Sequence, residues 1–515
     1  MAFTTKQWIP WTLALGAGVV GFATYPAARA ADRAVGAPVV MTHADELKRE
    51  MAAVGVTSIP PVSVQNSPAT YVLDDKAAMG NMTLPDPLTM NNGKKVTTAS
   101  EWKKRRQELL TLLQTEVYGV RPKSIPKVTW TVANTSKGIT VTGRGGGPSA
   151  TYREADVVTK NLIGRVDNKA YPDLNVTIQA QMIAPANAVG VPAVIVFGGG
   201  AFALPSGVAA TTNACPAPAP AAGAGRGAAP APTAAPPMPV DAEEVLKKGW
   251  AIVYMNSASV QADGGCGLTQ GIIGLVNKGQ PRSVTDWGVL SAWGWGASRV
   301  LDYLETDKMV DARRVAPMGA SRSGKAALIG MVLDERFATG FIASSGEGGA
   351  KLNRRKYGET VDDVAANYYF WMGNNFLKYA GNWDKMPVDS HDLFAVLAPR
   401  PVFVSGGALH EMNSDGTYKT TIIANGTQQV TPFGGTTSDA WVDPKGSYLA
   451  QVAANPVYEL LGKKGVQTPF PAIDTPVLAG DMGFYQHTSG HTATPAWPIF
   501  VKFAAKYWDN APAKK

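Results

Sequence analysis

The apolar positions of this chain change period along its length, and the changes predict its elements. Between Val128 and Ile183 they alternate with polar ones, as in Val128-Thr129-Trp130-Thr131-Val132, Ile139-Thr140-Val141 and Val176-Thr177-Ile178. A period of two suits strands with one face covered, so these segments read as antiparallel strands at a sheet edge. From Pro192 the apolar runs become continuous. Ala193-Val194-Ile195-Val196-Phe197 ends in Gly198-Gly199-Gly200, Ala251-Ile252-Val253-Tyr254-Met255 is a second run, and Pro401-Val402-Phe403-Val404 leads to Gly406-Gly407. Parallel strands buried on both faces have this character, with loops at their C-terminal ends. Helical spacing separates them, for example from Trp293 to Leu304, and recurs at residues 101–117 and in the amphipathic final segment Trp497 to Trp508. Strands alternating with helices predict an α/β fold with a doubly wound, mostly parallel sheet between helical layers.

Three stretches fall outside this grammar. Lys6 precedes an apolar run from Trp8 to about Tyr25, and Ala28-Arg29-Ala30 supplies small residues where a signal peptidase reads. The segment is expected to be a secretory signal peptide, residues 1–30, cut after Ala30, rather than a retained anchor; the run holds Pro10 and is only marginally long enough for a span. Residues 31–100 are polar and turn-rich, with Pro60-Pro61 and Asn91-Asn92-Gly93, and read as an N-terminal extension wrapping the core. Residues 214–239 hold 11 Ala, 8 Pro and 3 Gly among 26. Such a segment buries little and forms no regular helix, so it reads as a flexible insertion in a catalytic domain spanning 101–515.

Composition narrows the chemistry. The chain has 515 residues, 45% hydrophobic and 17% charged, which excludes a disordered protein. Its net charge of +8 falls to +6 once Lys6 and Arg29 are removed, and its one compact basic run, Lys103-Lys104-Arg105-Arg106, reads as a solvated helix face. Nucleic acid is therefore not the expected partner. Only two cysteines occur, too few for a disulfide scaffold or a four-cysteine zinc site. Cys215 and Cys266 are expected to pair in an oxidising compartment, with two free thiols as the alternative. Histidine chemistry is confined to His43, His391, His410, His487 and His491.

The segment Val315-Ala316-Pro317-Met318-Gly319-Ala320-Ser321-Arg322-Ser323-Gly324-Lys325 meets a description in which an apolar strand enters a small-residue turn and then a helix. That is nucleophile-elbow grammar, which exposes a serine hydroxyl above the sheet. The G-x-S-x-G spacing fails strictly, because Ser323 stands at the second glycine position and Gly324 follows. Pro317 is a second irregularity, since it removes a ladder donor from a strand expected to be central. A serine nucleophile needs a base and an acid, in chain order Ser, Asp or Glu, His for this fold. His491, in Ser489-Gly490-His491, is the leading base and His487 its rival. Asp439 and Asp443, in Asp439-Ala440-Trp441-Val442-Asp443-Pro444, follow the Pro401–Val404 strand where an acid is needed.

These residues together resemble the bacterial glucuronoyl esterases of carbohydrate esterase family 15, an α/β-hydrolase family. The carrying elements are Gly319-Ala320-Ser321-Arg322-Ser323-Gly324-Lys325, Ser345-Gly346-Glu347-Gly348-Gly349-Ala350, Asp389-Ser390-His391 with Ala398-Pro399-Arg400-Pro401, Asp439-Ala440-Trp441-Val442-Asp443-Pro444, and Ser489-Gly490-His491. The resemblance spans most of residues 100–510. It implies Ser321 as nucleophile, His491 as base, Asp439 as its orienting acid, and Arg322 as a charged contributor to the oxyanion hole. It implies Lys325, Glu359 and Trp441 as contacts to a uronate sugar, with no metal or other cofactor. Many relatives carry the acid as a Glu just before the Ser-Gly-x-Gly-Gly loop, where this chain has Ser344. That favours Asp439 and leaves Glu347 as a fallback. The implied reaction is hydrolysis of esters between (4-O-methyl-)glucuronic acid of glucuronoxylan and lignin-type alcohols, by an exported monomer, periplasmic or secreted, without a stable membrane anchor. Two alternatives stay open: an acetyl-xylan or other carbohydrate acyl esterase, or peptidase, of the same fold, and a non-catalytic carbohydrate-binding protein.

Overall fold

A computed structural model describes residues 36–62, 78–141, 150–152, 157–213, 240–408, 420–422, 428–430, 439–466 and 469–509. The expected signal peptide, Cys215, His410 and the whole of the 214–239 insertion lie outside these residues.

Thirteen strands are described: β1 Val128–Lys137, β2 Ile139–Val141, β3 Ala150–Tyr152, β4 Val157–Val166, β5 Thr177–Pro185, β6 Val191–Phe197, β7 Ala251–Met255, β8 Val310–Ala320, β9 Phe341–Ala343, β10 Val402–Gly407, β11 Thr420–Ile422, β12 Gln428–Val430 and β13 Met482–His487. Nine form one sheet in the order β1-β4-β5-β7-β6-β8-β9-β10-β13. From β7 to β13 every neighbour is parallel, whereas β5, β4 and β1 complete the sheet by antiparallel pairing. This is the α/β-hydrolase fold. The sequence places β1 and β5 in the antiparallel edge, but Ile139–Val141 does not join it; β2 pairs with β3 in a ribbon of its own.

The continuous apolar runs became the central strands because both faces are covered. Every residue of β7, β10 and β13 is buried. One apolar layer holds the helices Val289–Leu304 and Arg322–Leu333, and the opposite layer holds Trp497–Trp508 over Phe341 and Phe403. Phe341 stacks on Phe500 with ring centroids 4.9 Å apart. The helix read from Trp293 begins four residues earlier, at Val289, because its first turn is as apolar as the rest. The helix read at 101–117 runs Ala99–Leu112, started by the Thr98 side chain accepting from Glu101 N–H, and then widens into a π-turn, Leu113–Tyr118. Pro317 sits in β8 without breaking the sheet, since the ladder to β9 begins only at Met318.

The extension docks through polar contacts as well as apolar ones. Its helix His43–Ala53 buries Glu50, whose carboxylate takes the Arg282 guanidinium at 2.7 and 2.9 Å, while Arg282 also donates to the carbonyls of Trp287 and Met372. Tyr369 donates to the carbonyl of His43 at 2.7 Å. The chain from Tyr369 to Met372 is thus held from the N-terminal side.

Candidate active site

The C-terminal ends of β8, β9, β10 and β13 lie side by side, and each delivers a candidate residue. Neighbouring strands are spaced about 4.8 Å apart, so groups carried just beyond them converge on one edge of the sheet.

β8 ends at the turn that carries Ser321. Its backbone is held at φ 60°, ψ −134°, outside the regions that L-residues favour. Two glycines make the turn possible. A Cβ on Gly319 would lie 2.1 Å from the carbonyl oxygen of Ser323, and one on Gly324 would lie 2.7 Å from the carbonyl oxygen of Ala343 in β9. The close approach to the neighbouring strand therefore falls on Gly324, one residue later than the strict motif requires, and Ser323 is tolerated. Ser321 N–H donates to Ala343 at 3.0 Å, which locks the elbow onto β9. Arg322 is the first residue of the following helix, whose leading N–H groups have no intrahelical acceptor and face developing negative charge favourably.

Asp439 and His491 meet at the ends of β10 and β13. His491 Nδ1 lies 2.6 Å from Asp439 Oδ1. The carboxylate is fully buried while the imidazole is 44% exposed, so the ring stands between a buried acid and the open site. The hydrogen bond to Asp439 raises the His491 pKa above its ordinary 6.5, against burial. Lys325 and Glu359 also act on His491 electrostatically, which puts all three in one site. Asp439 Oδ2 accepts from the Gly407 N–H at 2.7 Å and from the Ser344 hydroxyl at 2.5 Å. Ser344, which the sequence reading set at the position of the family's usual acid, is thus a hydrogen-bond donor to the Asp439 carboxylate. Removing that donor by Ser344→Ala is expected to lower kcat/KM roughly fivefold, about 1 kcal/mol for one net hydrogen bond. A less stabilised Asp439 attracts the imidazolium more strongly, so the acid limb of the pH–rate profile should move to higher pH.

The rivals are occupied elsewhere. Asp443 caps the helix Pro444–Leu460 by accepting from Gly446 N–H and pairs with Arg355 at 2.8 Å, both buried. Glu347 is buried against Lys351 at 2.7 Å, and burial pushes its carboxyl up to about 8. His487 is buried, its Nδ1 accepts from Ser489 N–H at 3.3 Å, and burial lowers its pKa. It shapes the turn that carries His491. His391 bonds the Pro85 carbonyl at 2.8 Å, and His43 packs edge-on against Tyr369 and Phe370.

Lys325 departs from the simple expectation of a free sugar donor. Its ammonium is buried and directs its hydrogen bonds at the Ser345 carbonyl (2.7 Å), the Glu347 carbonyl (2.6 Å) and Glu359 Oε2 (2.7 Å). An ammonium has three protons, so a sugar hydroxyl reaches it only by sharing or displacing one of these. Burial lowers the Lys325 pKa, with Glu359 opposing. Glu359 Oε2 also accepts from Glu347 N–H, and Glu359 N–H donates to the Trp441 carbonyl at 2.7 Å. Lys325, Glu359 and Trp441 are thus one connected wall, with Trp441 half-buried at its rim.

Three residues of the site escaped the sequence reading. Arg322 donates from Nη1 to Asp263 Oδ2 at 2.6 Å, and lies 5.3 Å from the Trp371 ring and 5.9 Å from the Tyr368 ring. Only the loop after β7, at the C-terminal end of a parallel strand, hinted at Asp263; nothing local marked Tyr368 and Trp371. Among the described residues no group of three His, Cys, Asp or Glu is placed to hold a metal ion, and no helix is long and apolar enough to cross a membrane. Cys266 lies in the turn Gly265–Gly267, and its expected partner Cys215 is outside the described residues.

A family model described as glucuronyl esterase, fungi, matches residues 246–431. The carbohydrate esterase MZ0003 from an unknown prokaryotic organism is 26% identical over 439 residues, covering 84% of this chain and 90% of that protein. The 4-O-methyl-glucuronoyl methylesterase of Schizophyllum commune is 26% identical over 406 residues, 77% of each chain. A solved glucuronoyl esterase of carbohydrate esterase family 15 from Teredinibacter turnerae is 32% identical, superposes with a TM-score of 0.70, and covers 91% of this chain and 100% of its own. An identity of that size over a relative's full length, with a TM-score of 0.70, makes the chain a member of the glucuronoyl esterases of carbohydrate esterase family 15.

Proposed function

We propose that this protein hydrolyses esters of (4-O-methyl-)glucuronic acid with alcohols of the lignin type, with Ser321 as nucleophile. The observation that carries the mechanism is the buried Asp439 carboxylate bonded to a half-exposed His491, at the same edge of the sheet as the strained Ser321 turn. The Ser321 oxygen attacks the ester carbonyl carbon as its proton passes to His491. The carbonyl oxygen becomes an oxyanion facing Arg322 and the N-terminus of its helix, where fixed positive charge counts most in the transition state. Collapse breaks the bond to the alcohol oxygen, which leaves with the proton from His491. Water then repeats the sequence on the acyl-enzyme, releasing the uronic acid and restoring the serine. Lys325, Glu359 and Trp441 form the wall that reads the sugar.

The full set of internal bonds on Lys325 favours a second reading, in which the acid sugar is not read and the enzyme cleaves simple acyl groups from carbohydrate. Glu359→Gln separates the two. On the first reading it lowers kcat/KM for methyl glucuronate roughly tenfold or more, as loss of a charged hydrogen bond to substrate does, and changes p-nitrophenyl acetate turnover by less than about twofold. An equal loss on both esters, or none on either, supports the second. Export after cleavage near Ala30, a Cys215–Cys266 bridge at the root of the 214–239 insertion, a monomeric state, and a 101–515 catalytic domain with a 31–100 extension belong to the same proposal.

A further inference from the structure

Arg322 is asked to present a guanidinium to an oxyanion from the end of a long side chain that is 44% exposed. An arginine so placed samples many rotamers, and electrostatic stabilisation works only when the donor is already aimed. What aims it is Asp263. Its Oδ2 takes Arg322 Nη1 at 2.6 Å, and its Oδ1 takes the Trp371 indole N–H at 2.7 Å. Trp371 is itself packed in: the residue is 2% exposed and its ring lies face to face with Tyr368, centroids 4.1 Å apart and planes within 5°. The carboxylate is thus pinned on one oxygen by a buried ring and pins the guanidinium with the other. The same ring lies 5.3 Å from the guanidinium, so Arg322 is held at its tip and along its face. One of its nitrogens is committed to Asp263, and the fork geometry leaves the others for a ligand.

We infer that Asp263 is a positioning residue for the reaction, fixing Arg322 toward the oxyanion. The inference rests on the role proposed above for Arg322. Two effects oppose each other at this pair. The Asp263 charge offsets part of the Arg322 charge, which weakens its pull on an oxyanion, and it removes the arginine's freedom, which strengthens it. An exposed, screened pair gives the first effect little weight, whereas a freed side chain loses the oxyanion altogether for most of its time.

The test is a double-mutant cycle with methyl glucuronate on the full chain: wild type, Asp263→Asn, Asp263→Ala, Arg322→Ala, and Asp263→Ala combined with Arg322→Ala. Each Asp263 variant is expected to lose about tenfold in kcat, with KM changed less than about twofold, since only a transition-state contact is affected. In the Arg322→Ala background the Asp263 change should cost nothing further. Asp263→Asn keeps the shape of the side chain and guards against a folding defect in the alanine variant. Wild-type or raised kcat in the Asp263 variants overturns the inference and leaves the proposed function standing. So does an undiminished loss in the Arg322→Ala background, which is the mark of a purely structural carboxylate. An Arg322→Ala enzyme with wild-type kcat overturns the inference together with the role of Arg322.

Discussion

Ser321→Ala is expected to reduce kcat for methyl or benzyl glucuronate roughly 10⁴-fold or more, because the proposed nucleophile is gone, while the proposed oxyanion donors and sugar wall remain. Binding should therefore survive: the uronic acid product should bind the variant within a few-fold of its affinity for the wild type. The substitution removes one oxygen from a turn whose conformation is enforced by Gly319 and Gly324, so the thermal midpoint should scarcely move. A serine-directed phosphonate should label the wild type at Ser321 and leave the variant unlabelled. Substantial turnover by the variant would remove the nucleophile from the account.

Asp439→Asn should be nearly as damaging, about 10⁴-fold in kcat, for a different reason. The carboxylate accepts three hydrogen bonds, from His491, Ser344 and Gly407. An amide in its place presents a donor toward one of these donors and favours the wrong imidazole tautomer. The pH profile should change in a defined direction. Asp439 raises the His491 pKa, so the wild-type acid limb lies above pH 6.5, and the residual activity of the variant should show that limb at lower pH. Glu347→Gln is the control. That carboxyl is buried against Lys351 and does not touch His491, so its loss should lower stability but leave kcat within about threefold. The reverse pattern would transfer the acid to the loop after β9.

The sequence revealed those parts of the site where the chemistry is local. The elbow is written in one run of small residues around Ser321, and the parallel strands β6, β7 and β10 are written as unbroken apolar segments. Their burial on both faces leaves no polar position to interrupt them. β9 is only three residues long inside an apolar stretch, and β4 has an irregular inside–outside pattern, so neither carried a usable period. The polar network was less legible because its partners are far apart in the chain. Ser344 and Asp439 are 95 residues apart, and Arg322 and Asp263 are 59. A serine after a buried strand and an aspartate before two glycines look ordinary until the sheet order puts them beside their partners. The same holds for Lys325. Its place in the elbow motif was plain from the sequence, but its three internal bonds depend on where the Ser345–Glu347 loop and Glu359 come to rest.

The central claim is that the site is built to cleave glucuronate esters, and the most direct measurement is a comparison of kcat/KM for a benzyl ester of 4-O-methylglucuronate with acetyl release from acetylated xylan, using the same purified enzyme. Reading a sugar acid through the Lys325–Glu359 wall predicts a preference for the glucuronate ester of roughly 100-fold or more. Faster acetyl release, with the glucuronate ester cleaved slowly or not at all, would contradict it.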